Sequence, residues 1–181
     1  MAKNALTRVL AIALLVASAG SALAADNAKL DKQSAAALKK LKANTPAAKV
    51  LAPKAYAILV FPSILKAGLM VGGQFGDGTL FDAKAKPIGH YHTMAASYGF
   101  QAGGQKFGYA LFFMNKGALD YLNTSGGWEV GVGPSIVVVD QGMGKSTTTS
   151  TMTQDIYAFI FGQSGLMAGA GLQGSKITKT D

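Results

Sequence analysis

His90 and His92 are the only histidines of the chain and stand two residues apart. On a strand that spacing turns both imidazoles to one face, where they could hold a metal ion. A third ligand is hard to find, because there is no cysteine and Glu129 is the only glutamate, so ordinary strand-end or loop histidines are expected. Gly169-Ala170-Gly171-Leu172-Gln173-Gly174 fits a dinucleotide pattern, yet no helix follows it to receive the phosphate. Gly144-Lys145-Ser146 resembles the end of a phosphate loop, but Val139 stands where the loop needs glycine. Ser164 lies in Gly-Gln-Ser-Gly rather than a nucleophile elbow, and no base pairs with it. Asp77 and Asp82 fall in turn-rich stretches and read as turn residues. These residues point to a binding protein rather than an enzyme, with no cofactor expected.

Binding chemistry is instead suggested by the lysines. Asp26–Lys54 carries seven lysines against two acids, whereas the chain after Lys54 holds eight lysines against seven acids. The one arginine, Arg8, lies in the N-terminal leader, so planar bidentate recognition of phosphate is not available to the mature chain. A basic front segment on a nearly neutral body suits an anionic surface, and no nucleic acid is expected as partner.

The leader has the three parts of a secretory signal: Lys3 and Arg8, the apolar stretch Val9–Ala17, and Ala22-Leu23-Ala24 before cleavage. A signal peptide over 1–24 and a periplasmic or secreted location follow as expectations. The absence of cysteine removes disulfides and a lipid anchor on a lipobox cysteine. The apolar stretch is shorter than the roughly 20 residues that span a bilayer, and no later segment is long enough.

Elements that must position the lysines can be read from periodicity. Within 25–45, Leu30, Ser34, Ala37, Leu38 and Leu41 share one face of an amphipathic helix, with Lys29, Lys32, Lys39 and Lys42 outside it. Such a helix either packs on the domain with a solvated lysine face or lies on anionic lipid. Asn44-Thr45-Pro46 ends it, or starts a second short turn through Val50 and Leu51. Tyr56–Phe61 reads as a strand stopped by Pro62, followed by a second strand rich in glycine up to Leu80 and a polar loop over Asp82–Pro87. Met94–Gly103 and Lys106–Met114 read as a hairpin about Gly103-Gly104, the second strand apolar on both faces. Asn115 should cap a helical turn through Leu122. Trp128–Asp140 reads as one strand, Gln141–Gln154 as an exposed loop, and Ile156–Phe161 with Leu166–Leu172 as a last hairpin about Gly162–Gly165. The fold class is mainly β with peripheral helices (α+β): six to eight antiparallel strands in a barrel-like or sandwich core, preceded by a basic amphipathic helix.

With these residues in view the chain resembles the SYLF domain family. The resemblance runs from Pro46 through Val50-Leu51, Lys54, Ile58, Phe61-Pro62, Lys66-Ala67-Gly68, Gly72-Gly73, Gly76 and Gly78. It continues at Gly131-Val132-Gly133-Pro134, Tyr157, Ser164-Gly165-Leu166, Ala168-Gly169 and Leu172-Gln173-Gly174-Ser175. Pro53-Lys54-Ala55 stands where the family has Ala-Lys-Gly, and His90-Tyr91-His92-Thr93 replaces a tryptophan-proline stretch. The resemblance implies a SYLF-like β-rich domain over 46–181 that binds anionic lipid or a membrane surface. Lys54 and Lys66 match family lysines, while Lys39, Lys40 and Lys42 lie on a helix of corresponding location. With Lys49 of the same basic segment, these six lysines are the expected lipid-binding residues. The alternative is a structural domain contacting envelope or host proteins, its lysines merely solvating a packed helix.

Overall fold

The structure, a computed structural model, describes residues 26–69, 71–98, 103–124, 126–139, 153–165 and 174–180. Residues 1–25, where a signal peptide is expected, most of the Ser/Thr-rich loop and Leu166–Leu172 lie outside the described residues. Helix α1 covers 26–44 and buries Ser34, Leu38 and Leu41, the apolar stripe read from its period. Pro46 then opens a second helix, α2 (Pro46–Leu51), because its fixed φ suits a first helical turn. A 3-10 turn over Ala52–Lys54 leads into the sheet.

The strands are β1 (Ala57–Leu69), β2 (Val71–Asp82), β3 (Pro87–Tyr98), β4 (Gly103–Phe113), β5 (Trp128–Glu129), β6 (Ile136–Val139), β7 (Ile156–Gly165) and β8 (Lys176–Lys179). They form one sheet in the order β5-β8-β3-β2-β1-β4-β7-β6. Between β4 and β5 stand a short helix α3 (Lys116–Asp120) and a 3-10 turn, Tyr121–Asn123. The expected cap is present, with Asn115 Oδ1 accepting from the Ala118 amide at 2.8 Å.

The sheet curls into a half-barrel. Flat, it would hold Phe113 of β4 and Trp128 of β5 five strand spacings apart, about 24 Å. Their ring centroids are 6.1 Å apart. The link from Glu129 to Ile136 also joins strands at opposite edges of the sheet, yet seven residue steps reach only about 25 Å against about 34 Å across a flat sheet. The inner face therefore closes on itself around Leu59, Phe61, Tyr109, Leu111, Phe113 and Trp128. On the outer face Ile58, Val60, Phe81, Phe112 and Phe159 pack under Leu38, Leu41 and Leu51 of the helices. β4 is apolar on both sides because both are covered.

Several expectations change. Pro62 does not end a strand: β1 runs through it as one 13-residue strand, with an extra residue at Pro62-Ser63 against both β2 and β4. A bulge is where a proline without an amide proton can sit inside a sheet. β3 and β4 do not pair with each other. The β1–β2 hairpin lies between them, giving a Greek-key order, and Gly103-Gly104 belong to β4. Trp128–Asp140 is not one strand, since Gly131 and Gly133 take φ of 104° and 92° and turn the chain between two short edge strands. Nor does β7 end at Gly162, whose φ of 63° accommodates a bulge opposite Lys106–Gly108 while the strand continues to Gly165. β6 pairs with β7 in parallel, the one departure from antiparallel order among the described strands. Short β8, which pairs with β3 and β5, had no expectation in the sequence.

Candidate functional site

Three of the six lysines surround one groove of about 540 Å³ on the outer face. Helix α1 supplies Lys39 and Lys42, three apart and so on adjoining faces, and α2 supplies Lys49. The floor is apolar, built from Leu38, Ile58 and Phe81, with Ala52, Pro53 and Ala55 of the following turn along one wall. The opposite wall is the β2–β3 turn, with Asp82, Ala83 and Ala85. Lys39 and Lys49 are exposed and Lys42 is half-buried. Their stems can lie against the apolar floor while the ammonium groups stay in water.

Among the described residues Asp82 is the one acid lining the groove. Its Oδ1 accepts from the amides of Lys84 and Lys86 at 2.9 and 2.8 Å, so it shapes the turn as the sequence led us to expect. The site therefore offers three ammonium groups over a greasy floor. Such a site suits a ligand with distributed negative charge and an apolar part.

The other three lysines lie elsewhere. Lys40 is exposed on α1 outside the groove lining, and Lys54 is exposed at the end of the 3-10 turn. Lys66 is 6% exposed, in register with Gln74 of β2 and Gln105 of β4, both also buried. These three form a polar layer across the inner face at one end of the half-barrel, where Gln74 Nε2 donates to Ser175 Oγ at 2.9 Å. The Pro62-Ser63 bulge causes this placement, since one inserted residue exchanges the two faces of a strand. Lys66 is thus buried and does not reach the outer surface.

The histidines do share a face of β3, and each meets a carboxylate. His90 Nε2 lies 2.9 Å from Asp31 Oδ1 of α1, and His92 Nδ1 lies 2.7 Å from Asp77 Oδ1 of β2. Thr79 Oγ1 also donates to Asp31 at 3.0 Å, pinning the front of α1 to the sheet. Among the described residues no three His, Cys, Asp or Glu side chains form a metal-binding group. This pin, and the Ile58 and Phe81 floor, were missed by sequence reasoning. Their residues are far apart in the chain, and no local pattern links them.

Residues 94–181, from the second half of β3 onward, match the family described as Ysc84, Las17-binding protein actin regulator, in agreement with the SYLF resemblance. The matched stretch includes Gly131–Pro134 and Ser164-Gly165-Leu166, while the groove lysines precede it. No curated protein matches the chain.

Proposed function

We propose that this protein is an exported, non-enzymatic domain, periplasmic or secreted, that binds anionic lipid at a membrane surface through the groove between α1, α2 and the β2–β3 turn. The observation that carries the reading is the convergence of Lys39, Lys42 and Lys49 over an apolar floor, where the acid Asp82 is engaged by amides. Ammonium groups near an anionic surface contribute on the order of 1 kcal/mol each. Three together amount to roughly a hundredfold in affinity.

Cosedimentation of the mature chain with phosphatidylserine-containing vesicles at low salt tests this. The triple variant Lys39→Gln, Lys42→Gln, Lys49→Gln should bind about a hundredfold more weakly, and neutral vesicles should not bind either protein. Raising ionic strength should release the wild type, since these charges are exposed to screening. Equal binding to neutral and anionic vesicles, or an unaffected triple variant, would refute the proposal. Lys40→Gln provides a same-helix control outside the groove.

A further inference from the structure

The helices cover only part of the outer face. Beyond the Pro62-Ser63 bulge, Leu65 of β1, Phe75 of β2 and Met94 of β3 stand side by side in register. They are 45%, 51% and 55% exposed, although their strand neighbours Ile64, Lys66, Gln74 and Thr93 are buried. The bulge again decides this, turning Leu65 outward and Lys66 inward. The row ends in a cation on each side, with Lys106 of β4 next to Leu65 and Lys176 of β8 next to Met94. Both lysines are exposed, and they stand four strand positions apart along the row. Glu129 faces Lys176 at the sheet edge, and the Asp77–His92 pair lies one step along the strands from Phe75. Beside Phe75 and Met94 the small residues Gly73, Ala95 and Ala96 leave a depression of about 470 Å³.

We propose that this row is a second membrane contact: Leu65, Phe75 and Met94 enter the interface of an anionic bilayer while Lys106 and Lys176 remain at the phosphate level. Three adjacent, half-exposed apolar side chains on a sheet are a binding surface rather than scattered exposure. Cations at both ends of an apolar row match the layering of an anionic interface, where apolar groups sit below the charged headgroups. A second copy of the chain fits poorly, because a symmetric pairing over this row brings cations against cations and three side chains fall far short of the roughly 1,200 Å² of a stable interface. The inference rests on the lipid-binding reading above and adds insertion of the sheet to electrostatic contact by the helices.

The chain contains no cysteine, so single cysteines can be placed and labelled with an environment-sensitive nitrobenzoxadiazole dye. Phe75→Cys and Met94→Cys, on the row, are compared with Asn123→Cys, exposed on the turn after α3. With phosphatidylserine vesicles the first two should shift to the blue and be quenched by nitroxide-bearing lipid, whereas the third should not. The unlabelled double variant Phe75→Ser, Met94→Ser, which keeps every lysine, should bind at least about tenfold more weakly at low salt. Binding without a blue shift at either row position would overturn insertion and leave the lysine groove standing. No vesicle binding at all would overturn both, and a concentration-dependent shift without vesicles would assign the row to self-association instead.

Discussion

Leu41→Ala decides whether the basic helix is part of the folded body. Leu41 is 4% exposed and shares the outer core with Leu38, Ala48, Leu51, Ile58, Val60 and Phe112. Losing three buried carbon groups removes about 2.4 kcal/mol of transfer free energy, and the cavity left behind raises the total to about 3 kcal/mol or more. With a urea slope near 2 kcal/mol/M for a domain of this size, the unfolding midpoint should fall by about 1.5 M with its slope unchanged. Lys40→Gln on the same helix should stay within about 0.5 kcal/mol of wild type. Hydrogen exchange across 26–44 should report protection close to that of β1 in the wild type and a parallel loss in the variant. An unchanged midpoint, together with little protection over 26–44, would show α1 to be a detachable arm. The groove, which needs α1 held against Ile58 and Phe81, would then not be a fixed site.

Other outcomes follow from the sheet. Gly78→Ala places a Cβ 2.7 Å from both the Val60 carbonyl oxygen and the Phe61 ring, and should lower stability by about 1–3 kcal/mol by thermal denaturation. Gly73→Ala, whose new carbon meets only the Ala95 carbonyl oxygen at 3.7 Å, should be tolerated. Asp155 joins the starts of β6 and β7 to the end of β4: its carboxylate accepts from the Ser135 hydroxyl and amide and from Asn115 Nδ2. The Ser135 hydroxyl first, then Asn115 and the Ser135 amide, hold that carboxyl below the usual carboxylate range. A carboxylate with a depressed value in the fold stabilises above its unfolded value, and the stabilisation is lost as pH falls through the folded value. The melting temperature should therefore fall more steeply as pH drops below about 5 in wild type than in Asp155→Asn, by a modest amount because the carboxylate's hydrogen bonds are exposed to solvent. Matching slopes would refute that linkage.

Local reading succeeded where neighbours in sequence are also neighbours in space. The Leu30–Leu41 stripe, the Asn115 cap, the Asp82 turn and the two apolar faces of β4 each depend on a few consecutive residues, and each is found as read. It failed where a glycine or proline could mean two things. Pro62 and Gly162 mark bulges rather than ends, Gly103-Gly104 lie within a strand, and Gly131 and Gly133 separate two strands. A bulge and a turn draw on the same residue types, and only the partner strand's register distinguishes them.

The lysine groove has the same mixed origin. The sequence by itself determined that Lys39, Lys42 and Lys49 lie in a basic, arginine-free segment beside an amphipathic stripe, because charge and helical period are properties of adjacent residues. Tertiary structure alone decided that these three meet over Ile58 and Phe81, that Lys66 turns inward, and that Leu65, Phe75 and Met94 form an outward row. Those outcomes depend on one inserted residue in β1 and on which strands pair across a curled sheet. Strand register and sheet closure are set by burial summed over distant segments, which no window of consecutive residues contains.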